Sequence, residues 1–285
     1  MGEDAVVWIA YPIEEQIRIT SMYSLFERHF ESGYNFQGES HNFWECLYVV
    51  KGEVCVSGDG HVYNLSDGSI IFHKPMEFHK FSVSREEGAD LLIFSFAAEG
   101  PLTSFLKNKV FVLSGYQKQI LRNLCFYMEN TAGNGTIQAG EEHQYLSPFS
   151  KLPTYAQTVS TYLQQLMLSL AERGVPSVAS QAPDAVCFGK AISYLNCNIH
   201  RQPTIPEIAR FCSISEAGLK RIFDKYAGIG VHKYLIKMKM KAASELLKDG
   251  ESVSGVAARL GFSDQSYFSR AYKRETGSMP SSVKS

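Results

Sequence analysis

The 285-residue chain carries 45% hydrophobic and 20% charged residues, the balance of a folded globular protein, which argues against long disordered tracts. Its length exceeds the usual single domain of about 100 to 200 residues, so two domains on one backbone are expected. The net charge of −1 hides a division that is typical of a protein with one nucleic-acid-binding domain: residues 1–183 hold 12 Lys and Arg against 20 Asp and Glu, whereas residues 184–285 hold 16 against 9.

The chain offers no signal for export or for a membrane. Residues 1–4 are acidic where a signal peptide is basic, and the longest apolar run, at 91–98, is far shorter than the roughly 20 residues that span a bilayer. The six cysteines form no C-x-x-C pair and have no histidines at zinc spacing, so neither a disulfide framework nor a zinc finger is predicted. We therefore expect a cytoplasmic protein.

Short β-rich runs alternate with turn residues from about residue 42 to residue 96. The predicted strands cover residues 45–51, 54–57, 62–65, 70–73, 78–83 and 91–96, with turns such as the Gly-Asp-Gly at 58–60 between them. This spacing is typical of an antiparallel barrel or sandwich.

After residue 114 the apolar period becomes helical. Residues 120, 121, 124, 127 and 128 share one face, and residues 159, 162, 163, 166, 167 and 170 share a face of a second helix. Two interpretations stay open: core packing on the barrel, or a helix pair that also forms a dimer interface. Residues 130–153 are predicted to be a loop, and residues 174–183, which contain two prolines and no charge, an interdomain linker.

Two segments 48 residues apart share one pattern, IARFCSIS at 208–215 and VAARLGFS at 256–263. A helix-turn-helix explains both, since a small Ala lets the helices cross closely, the turn favours left-handed backbone, and the Ser caps the next helix. Gly261 suits that turn, whereas Ser213 at the equivalent place is expected to carry strain.

Residues 186–284 resemble the DNA-binding domain of the AraC/XylS family of bacterial transcription regulators. The resemblance is clearest in ARLGFSDQSYFSRAYKRETG at 258–277, followed by Pro280, and it extends to TIPEIA at 204–209 and LKRIFDKYAG at 219–228. Two positions depart from the family pattern: Val231 stands where a Pro is usual, and Val283 where an aromatic residue is usual. Both departures bear on packing more than on DNA contact.

The resemblance implies recognition helices that begin near Ser215 and Asp264, joined by a helix from residue 231 to residue 247. That spacer, about 25 Å long at 1.5 Å per residue, would set the recognition helices on successive major-groove turns, so that one monomer reads one long asymmetric site. Lysines at 233, 237, 239 and 241 make the spacer basic, and some of them are expected to point to solvent and act through the general field.

With the apolar side chains turned inward, nine residues are predicted to face DNA. Arg can bond guanine in a bidentate manner, Gln can bond adenine, and Lys can neutralise phosphate. The predicted DNA-contacting residues are Glu216, Ala217, Lys220, Arg221, Gln265, Ser266, Tyr267, Arg270 and Lys273.

Residues 33–79 resemble the cupin-type sensor barrel. Gly33, Glu39, His41, Glu45 and Gly52 follow the first cupin motif, with Glu39 in place of a His, and the second motif is partial, since Asp67-Gly68, Pro75 and His79 are present but Glu77 replaces a Gly. The resemblance implies that Glu39, His41, Glu45 and His79 converge, and two imidazoles with two carboxylates suit a divalent transition metal. In the alternative, no cofactor is required and these groups bond each other or an effector.

An effector site is also predicted inside the barrel. The candidate effector-binding residues are His41, Glu45, Tyr48, Phe72 and His79, within a broader aromatic set that includes Phe43, Trp44, Tyr63 and Phe78.

The sequence thus predicts an α+β two-domain regulator: a cupin-like antiparallel barrel with a helix pair at 1–173, and an all-α domain with two helix-turn-helix motifs at 184–285. Its expected partners are double-stranded DNA, a small-molecule effector, RNA polymerase and a second copy of itself, with no membrane and no catalytic residue. The alternatives are a ligand-independent regulator whose barrel only dimerises, and a metal-dependent cupin enzyme fused to a DNA-binding domain.

Overall fold

The computed structural model describes residues 10–132, 152–173, 176–177 and 182–283. The first domain, which we call the barrel, contains two antiparallel sheets. The large sheet has the strand order β1-β7-β2-β5-β8-β9, and the small sheet has the order β4-β3-β6. The strands are β1 (Arg18–Phe30), β2 (Trp44–Lys51), β3 (Val54–Gly58), β4 (His61–Leu65), β5 (Ser69–His73), β6 (His79–Val83), β7 (Ala89–Glu99), β8 (Val110–Val112) and β9 (Pro176–Ser177).

The six predicted strands between residues 45 and 96 are confirmed, but the barrel starts earlier than the pattern indicates. The 13-residue strand β1 pairs with β7, and its register slips between Ile19 and Ser21 and again between Met22 and Ser24. Each slip reverses which face the following side chains occupy, so the period-two alternation that identifies a strand is broken in the sequence.

A helix pair covers the large sheet. The short helix α1 (Leu102–Leu106) is followed by α2 (Gly115–Ala132) and α3 (Pro153–Arg173), and the apolar faces of α2 and α3 belong to the same buried core as the strands. Core packing on the barrel is therefore confirmed for these faces. The predicted loop at 130–153 and linker at 174–183 lie largely outside the described residues, although two linker residues form β9, which pairs with β8.

The second domain is helical, with α4 (Pro183–Cys197), α5 (Ile205–Phe211), α6 (Glu216–Ala227), α7 (Val231–Lys248), α8 (Val253–Arg259) and α9 (Gln265–Thr276), then a 3₁₀ turn at Pro280–Ser282. We call α5 and α6 the first unit and α8 and α9 the second unit. Each unit packs on one part of α7 and has its own buried cluster. Within the described residues, no helix is both long and apolar enough to cross a membrane.

Candidate DNA-reading surface and barrel pocket

The two recognition helices, α6 and α9, begin at polar caps. The Ser215 hydroxyl accepts a hydrogen bond from the backbone N–H of Gly218 at 3.1 Å. The Asp264 carboxylate accepts from the N–H groups of Ser266 at 2.9 Å and Tyr267 at 3.1 Å. Because a cap satisfies N–H groups that have no partner inside the helix, these two side chains fix where each helix starts. Both helices begin where predicted, and Ser215 is the predicted cap, but in the second unit the cap is Asp264 and not the predicted Ser263.

Both helix-turn-helix turns adopt left-handed backbone. Gly261 has φ +69° and Ser213 has φ +57°. A Ser in this region carries the steric strain that a Gly avoids, so the predicted difference between the two turns is confirmed. Gly261 is also required by space, since a Cβ there would lie 2.0 Å from the carbonyl oxygen of His200.

The predicted reading faces point to solvent. In α6, Leu219, Ile222 and Phe223 are buried, and in α9, Phe268 and Tyr272 are buried. The nine side chains predicted to contact DNA are all exposed: Glu216, Ala217, Lys220, Arg221, Gln265, Ser266, Tyr267, Arg270 and Lys273. The geometry leaves both faces available to a major groove, and the contacts themselves stay a prediction.

Lys233 of the spacer α7 is exposed, as expected for some of its lysines, but those at 237, 239 and 241 have partners within the chain. Lys239 is 3% exposed, and its ammonium donates to the carbonyl of Leu260 at 2.7 Å, at the end of α8. Lys237 pairs with Glu275 at 3.3 Å, and Lys241 pairs with an aspartate of the barrel. These three lysines therefore fix the packing of α7, and their contribution to the field at the DNA surface is partly neutralised.

A cavity of about 470 Å³ opens between the two sheets. Its volume is in the range of small-molecule sites. Most of its wall is aromatic and one end is polar, where His41, Glu45 and Ser95 meet. The aromatic lining residues are Tyr23, Phe26, Phe30, Tyr34, Phe36, Phe43 and Phe81.

Four ionisable side chains meet at the polar end. One ligand atom from each of Glu39, His41, Glu45 and His79 lies within 4.8 Å of the others. The Nε2 atom of His79 lies 3.1 Å from Glu45, and that of His41 lies 3.5 Å from the same carboxylate. The Nδ1 atoms bond backbone carbonyls, of Glu77 for His79 and of Phe43 for His41. The predicted convergence of the four residues is thus present.

Electrostatics make Glu45 and His79 an ion pair. Burial disfavours the charged carboxylate, but the charge of His79, its hydrogen bond to the carboxylate and the nearby His41 imidazole outweigh it and hold the pKa of Glu45 well below its usual range. Burial also disfavours the imidazolium of His79, yet Glu45 raises the pKa of His79 to about 9. Burial and the charge of His79 lower the pKa of His73, which therefore stays neutral beside the pair.

Only some of the predicted effector-binding residues lie at the cavity. His41 and Glu45 line it, and His79 contacts Glu45 behind the wall. Tyr48 and Phe72 do not line it, because they lie on the other face of the large sheet. Glu45 and His73 are cross-strand partners on the cavity face, so Phe72, the next residue, faces the opposite way, under the helix pair. We therefore remove Tyr48 and Phe72 from the effector-binding set.

Sequence reasoning missed the lining contributed by β1. Met22, Tyr23, Ser24, Phe26 and Arg28 all reach the cavity from this strand. Consecutive residues such as 22, 23 and 24 share the lining because the register slip lies among them. An aromatic-rich run before the first recognised strand is the one signal that the sequence gives for this wall.

A polar chain leads from the cavity toward the helical domain. The His73 ring stacks on that of His79 at 4.3 Å and bonds Glu77 at 3.2 Å. Burial opposes ionisation of Glu77, but its bond to His73 and the charge of Lys74 lower the pKa of Glu77 to about 2. The Lys74 ammonium then pairs with Asp59 at 2.7 Å, in the turn between β3 and β4.

Known families match both halves of the chain. Residues 208–285 match a family model described as a helix-turn-helix domain, and residues 25–104 match one described as an AraC-like ligand binding domain. Among solved structures, ToxT from Vibrio cholerae O395 is 13% identical, with a TM-score of 0.37 over 94% of this chain and 96% of that one.

Two curated relatives extend over most of the chain. The HTH-type transcriptional activator RhaR of Yersinia pseudotuberculosis serotype O:3 (strain YPIII) is 36% identical over 252 residues, which cover 86% of this chain and 83% of RhaR. The uncharacterized HTH-type transcriptional regulator YidL of Escherichia coli (strain K12) is 28% identical over 244 residues, 85% of this chain and 75% of YidL. The chain therefore belongs to the AraC/XylS family of DNA-binding transcription regulators.

Proposed function

We propose that a small molecule with an apolar body and a polar group binds in the barrel cavity and controls promoter binding by the helical domain. The observation that carries this proposal is the cavity of about 470 Å³, with aromatic walls and one end formed by Glu45 and His41, inside the segment that matches the ligand-binding family model. Aromatic rings bind the apolar body, and the buried ionised groups fix its orientation. Occupancy then shifts the population of barrel conformations and with it the placement of the helical domain.

A thermal-shift screen of small metabolites tests the effector site. Phe81→Leu removes part of the cavity wall, and Phe72→Leu is a matched control, because this ring is also buried but lies on the face of the large sheet that points away from the cavity. We expect a metabolite that stabilises the wild type and Phe72→Leu but not Phe81→Leu, and that changes DNA affinity. Equal stabilisation of both variants would place the ligand outside this cavity.

The two exposed reading faces support a single chain that contacts two successive major-groove turns. Selection from random duplex DNA is expected to enrich one long asymmetric site. Arg221→Ala should lose preference at the end bound by α6 and Arg270→Ala at the end bound by α9, each by about 1 to 3 kcal/mol for a lost bidentate base contact. Arg122→Ala, on the exposed face of α2, is the control. Loss at both ends in either variant would contradict the assignment of one helix to each end.

A divalent transition metal is a second candidate for the polar end of the cavity. In His41 and His79 the Nδ1 atom bonds a backbone carbonyl, which directs each Nε2 toward Glu45, and the buried Nε2 of His41 has no hydrogen-bond partner within the described part of the chain. This second-sphere arrangement is typical of imidazole ligands. The metal would displace the proton that His79 shares with Glu45, and Glu39 would complete the set.

Calorimetric titration of chelator-treated protein with Zn²⁺ or Mn²⁺ tests the metal. We expect one bound ion per chain, lost in Glu45→Gln and kept in Glu53→Gln, which alters an exposed carboxylate of the same domain. If Glu45→Gln binds the ion as tightly as the wild type, the four residues form only a hydrogen-bonded cluster around the effector.

Effector response also separates the regulator from its alternatives. A ligand-independent regulator would bind DNA equally with and without every screened metabolite, and a metal-dependent cupin enzyme would turn over a substrate after metal loading. We propose a regulator without enzyme activity, because the relatives are transcription regulators and the ionised groups at the polar end are explained by effector or metal binding.

We further propose a homodimer that acts in the cytoplasm and contacts RNA polymerase. The apolar faces of α2 and α3 are buried in the core, so a dimer would use the outer face of this helix pair. On the outer face of α2, Phe126 is 69% exposed and Tyr116 is 56% exposed. Light scattering should give twice the chain mass for the wild type and a monomer for Phe126→Glu. Transcription with purified polymerase, with and without the protein, tests the polymerase contact.

A further inference from the structure

The barrel shares a hydrophobic core with the first helix-turn-helix unit. Val62 of β4 and Phe78, just before β6, are buried in one cluster with residues of α4, α5 and α6. The Phe78 ring meets that of Tyr234, at the start of α7, with centroids 5.7 Å apart. The cluster around the second unit holds only residues of the helical domain among the described residues. The two units therefore differ in their attachment to the barrel.

Side chains of the small sheet donate hydrogen bonds to the carbonyls at the C-terminal end of α6. Lys80 of β6 is 3% exposed, and its ammonium donates to the carbonyl of Asp224 at 2.9 Å. The Ser57 hydroxyl of β3 donates to the carbonyl of Tyr226. The last carbonyls of a helix have no partner inside it and carry partial negative charge, so a hydroxyl and an ammonium are suitable caps. These caps come from the other domain.

The chain turn after α6 fits closely against the barrel. Gly228 ends the helix with φ +67°, and a Cβ there would lie 2.7 Å from the carbonyl oxygen of Gln37 and 3.3 Å from the Nζ of Lys80. Elsewhere in this interface, Asp59 pairs with Lys241 of α7 at 2.6 Å while it also pairs with Lys74 of the barrel. That pair holds the spacer, whereas Lys80 and Ser57 hold the first unit at the end of α6.

Strand β6 joins the cavity to the contacts at the end of α6. His79 and Phe81 face the cavity side, where they contact Glu45 and line the wall, and Lys80 between them faces α6 on the other side. Since successive side chains of a strand are fixed on opposite faces, a displacement of β6 by a ligand moves Lys80 with it.

We propose that Ser57 and Lys80 are positioning residues that hold the first recognition helix on the barrel, so that the barrel controls only the half of the DNA site bound by α6. The inference rests on the proposed function, since it assigns one half-site to each recognition helix. The second unit reads its half independently of the barrel. A signal from the cavity then changes one half of the contact and leaves the other as an anchor.

Binding to the selected DNA site and to two derivatives tests this inference. In one derivative we scramble the half bound by α6, which is the half where Arg221→Ala loses its sequence preference. In the other we scramble the half bound by α9, where Arg270→Ala loses its preference. The variants of the full chain are Ser57→Ala and Lys80→Met. The control is Lys107→Met, which removes an exposed lysine of the barrel.

Lys80→Met is expected to bind the intact site roughly tenfold more weakly than the wild type, the ratio that corresponds to about 1.4 kcal/mol. It should bind the site with the scrambled α6 half as well as the wild type does, because only the positioning of α6 has changed. Ser57→Ala should follow the same pattern, and Lys107→Met should match the wild type on every site.

Equal weakening on all three sites would overturn the inference, because a merely structural role would lower the amount of competent protein for either half. Unchanged affinity for the intact site would also overturn it. So would a higher affinity, which would show that the contacts of Lys80 inhibit DNA binding instead of positioning α6. If Lys80→Met does not fold, as judged by thermal unfolding, the same comparison is decided on Ser57→Ala. If the wild type enriches no site, the proposed function fails and the inference falls with it.

Discussion

Gly261→Ala tests how closely the second unit packs on the loop that follows α4. Gly261 combines two requirements, left-handed backbone at φ +69° and a Cβ position only 2.0 Å from the His200 carbonyl oxygen. Gly277, after α9, has φ +78° but nothing within 4 Å of an added Cβ. Gly277→Ala is therefore a matched control that imposes the backbone strain without the close contact.

The expected loss of stability in each variant follows from the backbone strain and the close contact. An L-residue in left-handed backbone costs about 1 to 2 kcal/mol, and part of this is offset because Ala also restricts the unfolded chain, so Gly277→Ala should destabilise by about 1 kcal/mol. In Gly261→Ala a backbone carbonyl must also move, and overpacking of this kind costs roughly 1 to 3 kcal/mol more. We expect a total of about 2 to 4 kcal/mol.

Hydrogen exchange of the full-length protein measures both variants, because it reports the opening free energy of α8 and α9 separately from the barrel. Gly261→Ala should open the second unit far more readily than Gly277→Ala and should weaken DNA preference at the α9 end. If the opening free energies of the two variants agree to within about 0.5 kcal/mol, the tertiary contact with His200 has no energetic role and the reasoning is refuted.

Three further predictions concern the same domain. Ser213→Gly should raise the free energy of unfolding of the first unit by about 0.5 to 1 kcal/mol in denaturant titrations, since relief of left-handed strain exceeds the entropy that Gly adds to the unfolded chain; a loss of stability would show that the Ser213 side chain is needed. Backbone N–H groups of Ser266 and Tyr267 lower the pKa of Asp264. The contribution of Asp264 to stability is therefore present above the usual aspartate pKa and is lost as the pH falls through the lowered pKa. Asp264→Asn should remove this dependence of stability on acidic pH, and an unchanged pH profile would contradict the prediction. Phe268→Ala should cost about 3 to 5 kcal/mol in the second unit and abolish preference at the α9 end alone, because its buried cluster is separate from that of the first unit, and hydrogen exchange that opened both units equally would show a single cooperative core.

The helix-turn-helix units could be predicted from sequence because their signals are local. A cap bonds an N–H group two or three residues away, as Asp264 does, and the left-handed turn is a property of one residue, so neither depends on the rest of the fold. The strands from residue 45 onward were predictable for a similar reason, since alternation and turn residues lie within each run. Strand β1 was not, because two register slips remove its alternation.

Burial of charge could not be predicted in this way. Lys239 lies in a lysine-rich run that reads as a solvated face, yet its ammonium bonds the carbonyl of Leu260, 21 residues later in the chain. Tyr48 and Phe72 were misplaced because the large sheet is buried on both sides, by the cavity and by the helix pair, so hydrophobicity alone does not tell which face is which.

The sequence by itself therefore determined the helix-turn-helix units and their exposed reading faces, which follow from short-range pattern and backbone chemistry, while the family followed from the resemblance of the same segments to known motifs. No local pattern shows that Glu39, His41, Glu45 and His79 meet around one point: only the cupin resemblance implied it, since β2, β6 and the segment before β2 are brought together by sheet pairing. Tertiary structure alone decided that Tyr48 and Phe72 lie on the other face of the large sheet, away from the cavity. It also decided that Lys80 and Ser57 cap a helix 144 and 169 residues further along the chain. Contacts at such separations depend on how two cores pack against each other, and no local period in the sequence records that packing.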